Sequence, residues 1–219
     1  YAERREINKI LLAFTNLLRP EIPALLKAWN LLGLIDFIRA KSLLSNEYKC
    51  VVPEIHDEPM FLWRQARHPL LEQKLKSQDK HITPLDLNLD KDNRILVISG
   101  PNAGGKSVCL KTIGLVQYML QCGLAVPMEV DSKCGVFHDM FIDIGDSQSL
   151  ENDLSTYSSH LLNMKELIRH GNSRTLFLID EFGTGTEPQL GGALAEAILL
   201  KMNEKKSFGV VTTHYANLK

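Results

Sequence analysis

Apolar positions in the first part of the chain recur three and four residues apart. Ile7, Ile10, Leu11, Phe14, Leu17 and Leu18 form one run, and Leu25, Leu26, Trp29, Leu32, Ile35, Phe37, Ile38 and Leu43 form a second. That spacing predicts helix, with Pro20 and Pro23 interrupting it between the runs. Residues 1–47 are expected to make a helical hairpin packed on a neighbouring domain. Residues 48–93 mix prolines with short apolar runs, which predicts short strands and loops. From residue 94 the pattern changes. Strand-like runs at 94–99, 136–142, 175–179 and 208–212 alternate with helical periods at about 106–121, 156–169 and 190–203. Such alternation predicts an α/β fold, a mostly parallel sheet flanked by helices. The expected division is a helical segment, 1–47, and an α/β domain, 48–219.

Composition narrows this picture only slightly. Hydrophobic residues make up 44% and charged residues 23%, as in an ordinary globular chain. The net charge of -1 supplies no global basic field for nucleic acid. Four cysteines, at 50, 109, 122 and 134, form no CxxC pair. Reduced thiols in a cytoplasmic protein are expected rather than a zinc site or a disulfide framework. No apolar run reaches membrane-span length, no signal peptide is recognisable and no membrane partner is expected. The sequence opens within a helical pattern and without a methionine, so a piece of a longer protein is expected.

The first chemistry lies in "RILVISGPNAGGKSVCL", residues 94–110. Gly100, Gly105, Lys106 and Ser107 complete G-x-x-x-x-G-K-[ST] between a predicted strand and a predicted helix, the context that this phosphate loop requires. A glycine-rich turn lets backbone N–H groups point inward around phosphate oxygens, and the following helix adds the positive end of its dipole. Lys106 is the candidate cation for the β- and γ-phosphates, and Ser107 the candidate hydroxyl for Mg²⁺. The pattern arises by chance in roughly one chain in a hundred of this length, before the strand context is required. A nucleoside triphosphate is the expected ligand.

A phosphate-loop fold also needs a carboxylate at the end of a neighbouring strand. In "TLFLIDEFGTGTEP", Leu176 to Ile179 read as a buried strand that ends at Asp180 and Glu181. Open α/β sheets bind ligands at that end of their strands. Asp180 is the candidate metal ligand, and Glu181 is placed to polarise an attacking water. Two solvated acids at a strand end are the plainer alternative. A further strand, Val210 to Thr213, leads to His214, a candidate γ-phosphate contact. An Asp-Glu doublet with a strand-end histidine resembles the ABC-type ATPases.

Between these motifs lies "DIGDSQSLENDLSTYSSHLLNMKEL", residues 143–167. ABC transporters carry L-S-G-G-Q there, whereas this chain has Leu154-Ser155-Thr156-Tyr157-Ser158-Ser159-His160. That run resembles the signature segment of the MutS family. "GPNAGGKS", "DEFGTGTEP" and "TTHY" resemble its other motifs, from about "RQARHPLLE" (64–72) to the C-terminus. Gln148 and the Ser158-Ser159-His160 run resemble the second MutS branch, linked to recombination suppression and ribosome rescue. They are less like the mismatch-repair branch with its "GASDD" and "STFMVEM".

The resemblance implies an ATPase that uses ATP and Mg²⁺ at a composite site in a homodimer. It implies that Gly100, Pro101, Asn102, Ala103, Gly104, Gly105, Lys106, Ser107 and Val108 hold the phosphates, with Asn102 a γ-phosphate contact. Ser107 and Asp180 would hold the metal, with Glu181, Lys106 and His214 catalytic. Gln148 would lie in a metal- or water-sensing loop, and Ser155 would reach the γ-phosphate of the partner subunit. A serine opening a helix also caps it. By the same resemblance, "DKHITPLDL" is the stretch beside the adenine, with His81 and Ile82 flanking the base. MutS ATPase domains continue past the point where this sequence stops, so the resemblance implies a domain truncated at its C-terminus. DNA, branched or structured, and the ribosome are partners implied by the family, met by regions outside this stretch. A mismatch-repair ATPase domain, a nucleotide-binding module without turnover and a transporter subunit are the competing readings. Glu181 argues against the second, and the missing Gly-Gly of the signature argues against the third.

Overall fold

The computed structural model describes residues 1–100, 105–145, 153–183 and 187–215, and of 153–159 only the backbone. The chain divides into two compact units, Tyr1–Glu47 and Tyr48–Lys219.

The first unit holds α1 (Ala2–Leu18), a single 3-10 turn (Arg19–Glu21) and α2 (Ile22–Glu47). The expected hairpin does not form. Leu18, Arg19 and Ile22 all keep right-handed helical angles, so the chain runs on without reversing. Pro20 sits in the first turn of the 3-10 segment and Pro23 in that of α2. A proline's missing N–H costs nothing at such positions. None of the residues in these helices is buried. Leu25, Leu26, Trp29, Leu31, Leu32, Leu34, Ile35, Phe37 and Ile38 are exposed all round α2, a pattern that belongs to helices covered by other protein.

The second unit is built on two sheets. Strands β1 (Glu54–His56), β2 (Phe61–Ala66) and β3 (Leu85–Leu89) belong to one, with α3 (Pro69–Lys76) between β2 and β3 in the chain. The other begins with β4 (Ile95–Ser99), which leads into α4 (Lys106–Gln121). Next come β5 (Lys133–Gly135), β6 (Asp139–Asp143), α5 (Asp153–His170), β7 (Thr175–Ile179), α6 (Pro188–Glu204) and β8 (Phe208–Thr213). The first sheet is mixed, in the order β1-β5-β2-β3; the second runs β4-β8-β7-β6 and is parallel throughout. This is the α/β architecture expected from the alternation. The expected strand at 136–142 differs in detail. Val136, Phe137 and His138 link β5 to β6 rather than extending either strand. The Phe137 N–H is taken by the Gln121 side chain at 3.0 Å, and its ring is drawn into a row of aromatics.

That row joins the sheets. Trp63 meets Phe61 edge-on at 5.0 Å, Phe61 stacks on Phe137 at 5.1 Å, and Phe137 meets Phe208 of β8 edge-on at 5.7 Å. Centroids at these separations are in favourable aromatic contact. Arg174 adds a fork to Asp57, at 2.9 and 3.2 Å, which holds the Asp57 carboxyl below its usual range.

Within the parallel sheet β7 is buried along its whole length, as a strand covered on both faces must be. One face packs against Met164, Leu167, Ala195, Ile198 and Met202 of α5 and α6. On the other, Leu178 approaches Gly114 of α4 so closely that a β-carbon there would stand 3.0 Å from its Cδ1. Gly209 of β8 pairs in register with Phe177, and a β-carbon on it would fall 2.1 Å from the Phe177 ring. Phe177 is fully buried and has no room to yield. Gly209→Ala is expected to destabilise the domain by about 3 kcal/mol, read as a lower urea midpoint at unchanged slope.

Candidate functional site

The parallel register fixes where the chemistry sits. Ser99 pairs with Thr213, and Ile179 pairs with Val211 and Asp143. The C-terminal ends of all four strands therefore lie along one edge. Gly100, Asp180 and His214 each follow directly on a strand there.

Gly105 starts α4 from the left-handed region, at φ 78°, and Gly100 has φ 152°. Side chains rarely adopt either angle, which accounts for glycine at both positions. Lys106 opens α4 and is buried, its ammonium donating to the Gly100 carbonyl. Ser107 is half-buried and Val108 exposed in the same first turn. Pro101, Asn102, Ala103 and Gly104 lie outside the described residues.

Across the sheet, Thr212 organises the carboxylates. Its Oγ1 donates to Asp180 Oδ1 and accepts the Glu181 N–H at 2.8 Å. Glu181 itself is left-handed, at φ 49°, a conformation that costs about 1–3 kcal/mol in a residue other than glycine. The turn is held from three sides. Asp180 N–H donates to the Asp143 carbonyl at 3.0 Å and Phe182 N–H to that of Thr212 at 2.8 Å, while Tyr215 Oη donates to that of Gly183 at 2.9 Å. Gly183 is left-handed too, and a β-carbon on it would meet the Gly191 carbonyl and the Tyr215 ring, both at 2.8 Å. Both acids are half-buried, and His214 is exposed at the end of β8.

The residues suit a magnesium nucleotide. A hydroxyl on Ser107 and a carboxylate on Asp180 are hard oxygen donors, the chemistry that Mg²⁺ takes. A buried ammonium and the first turn of a sixteen-residue helix provide the positive charge that a polyphosphate needs.

The other sequence candidates are less closely joined. Gln148 lies outside the described residues. Ser155 stands within the first turn of α5, which begins at Asp153, so it does not precede the helix as a cap would. Its place is still where helices leave N–H groups without intrahelical partners. His81 is exposed and Ile82 half-buried in the connection from α3 to β3. Among the described residues, no hydrogen bond or ion pair ties either to the phosphate loop. Thr212 and Asp143 escaped the sequence reading. Their signal was a polar residue ending an apolar strand, which many solvated strand ends share.

The fold is that of the phosphate-loop nucleoside triphosphatase class, with its motifs ordered along this edge as in the ABC type. The comparisons give the family. Residues 96–219 match the model of MutS domain V, and the chain belongs to the MutS family. It is similar to Endonuclease MutS2 of Enterococcus faecalis, 43% identical over 218 residues. The proteins of that name from Geobacillus sp. (43% over 217 residues) and Ligilactobacillus salivarius (44% over 218) are similar too. These alignments cover 99–100% of this chain but 27% of each relative, so the chain spans about a quarter of their length. The likeness is to the second MutS branch, as the signature segment implied.

Two predictions come from this geometry. Thr212→Val keeps the shape but leaves the Glu181 N–H without its side-chain oxygen, and is expected to cost about 2 kcal/mol in urea unfolding. Cys109 shows which local effect wins near the helix start. An N-terminus lowers thiol pKa values, but burial raises this one to about 11. Its thiolate appears only as pH rises through that value. At pH 8 a disulfide reagent is expected to label exposed Cys122 first, with Cys109 and buried Cys134 reacting only on unfolding.

Proposed function

We propose that residues 48–219 form a Mg²⁺-dependent ATPase domain, and that residues 1–47 are a helical segment of the core domain preceding it. The observation that carries the ATPase reading is Glu181. A site that only held nucleotide would need Lys106, Ser107 and Asp180, but no second acid fixed in a strained backbone. Here the strain is maintained by hydrogen bonds that the Glu181 N–H donates to Thr212 Oγ1 and Asp180 Oδ1, and strain held in this way is concentrated at functional sites.

In the proposed reaction Glu181 accepts a proton from the attacking water as its oxygen bonds to the γ-phosphorus. The bond from phosphorus to the bridging oxygen breaks, and its electron pair leaves with ADP. Lys106 and the backbone N–H groups of Gly100 to Val108, other than Pro101, hold the phosphates in line. Ser107 and Asp180 would hold Mg²⁺, which neutralises charge on the phosphate oxygens. His214, at the neighbouring strand end, senses the γ-phosphate together with Gln148. His81 and Ile82 flank the adenine.

The site is proposed to be composite. Ser155 of a second copy completes it, so that ATP binding joins two subunits and hydrolysis releases them. The helical segment moves with that cycle. Nucleic acid, branched DNA or a ribosome, would be met by other parts of the protein, which is proposed to be cytoplasmic. Among the described residues no helix is long and apolar enough to cross a membrane. The relatives' name supports nucleic-acid work but assigns none of it to this domain.

The test is steady-state ATPase rate per subunit against protein concentration. The expected rate rises with concentration, and Glu181→Gln lowers it by about a thousandfold while nucleotide affinity is retained. Equal rates in the two proteins at every concentration would leave only a nucleotide-binding module.

A further inference from the structure

Asp143 ends β6 and does two things at once. Its backbone carbonyl receives the Asp180 N–H at 3.0 Å. Its carboxylate is held by two residues almost a turn apart on α5: His160 Nδ1 lies 2.7 Å from Oδ2, and Asn163 Nδ2 donates to Oδ1 at 3.3 Å. An ionised carboxylate only accepts hydrogen bonds, so Nδ1 carries the proton and the tautomer is fixed. The Asp143 side chain is only 13% exposed, where such a bond is screened less than on the open surface. Asp143 and His160 also bracket residues 144–159, which contain Gln148 and Ser155.

We propose that Asp143, His160 and Asn163 form a positioning clamp that locks α5 to the strand end bearing Asp180. Through it, the strand end that bears Asp180 sets the placement of the helix that the subunit lends to its partner. The inference rests on the composite-site reading above. The clamp touches no reacting atom and acts through α5. Its loss therefore harms the neighbour's turnover and spares the subunit's own nucleotide affinity. A clamp that merely stabilised the fold would harm its own subunit.

Mixed dimers of the full-length protein separate these cases. Lys106→Ala copies, which bind no nucleotide, serve as helix donors in large excess over copies that bind it. His160→Ala in the donor is expected to lower its wild-type partner's kcat by about tenfold, with KM within about twofold. His160→Ala in the nucleotide-binding copy, paired with a Lys106→Ala donor, is expected to turn over as wild type does in that pairing. His160→Asn, which restores a donor towards Asp143, is expected to recover most of the loss. A defect that follows the nucleotide-binding copy, or no defect in either arrangement, overturns the clamp. Lys106→Ala/Ser155→Ala donors are the control. If they lower the partner's rate and Lys106→Ala/His160→Ala donors do not, the clamp alone is wrong. If neither donor lowers it, the composite site is wrong and the clamp falls with it.

Discussion

Parallel pairing of β7 between β6 and β8 is the constraint on which the rest of this domain depends. It sends every strand of that sheet the same way, so that chemistry from distant parts of the sequence gathers at one edge. The pairing is bought by burial: β7 and β8 are buried along their whole lengths, and both faces of the sheet need covering. Helices α5 and α6 cover one face and α4 the other. Gly114 and Gly209 are small because Leu178 and Phe177 fill the space beside them. Helix α4, which Lys106 and Ser107 open, is thereby held at a fixed height against the strands that carry the acids.

At that edge the backbone does as much as the side chains. Glu181 and Gly183 both turn left-handed within a few residues, which turns the chain just after the strand that leads to Asp180. β8 and the residues just after it hold that turn in place: Thr212 grips Asp180 and Glu181, and Tyr215 grips Gly183. Thr212, two residues before His214, therefore ties the end of β8 directly to both acids. Asp143 extends the same connection in the other direction, to α5. β8, β7 and α5 are thus linked at this edge by hydrogen bonds as well as through the core they share.

The mixed sheet has a different role. It carries none of the candidate phosphate-loop residues, yet the aromatic row from Trp63 to Phe208 and the Asp57–Arg174 fork attach it firmly to the start of the parallel sheet. The far edge is left to the candidate site. The helices of the first unit expose apolar residues on every side, in keeping with the proposal that they belong to a larger core domain.

The sequence alone determined the parallel sheet, the phosphate loop, the Asp180–Glu181 doublet and the family. These features are local: an apolar run or a glycine at fixed spacing has the same physical consequence wherever it occurs. Tertiary structure decided what depends on partners far along the chain. Thr212 and Asp143 acquired their importance only when β8 and β6 were laid beside β7. Val136–His138 left the strand because Gln121 and the aromatic row claim Phe137. The helices at 1–47 ran straight on because a proline in the first turn of a helix sacrifices no hydrogen bond. Periodicity records which face of an element is apolar, but not which neighbour will cover it or which strand end will stand beside another.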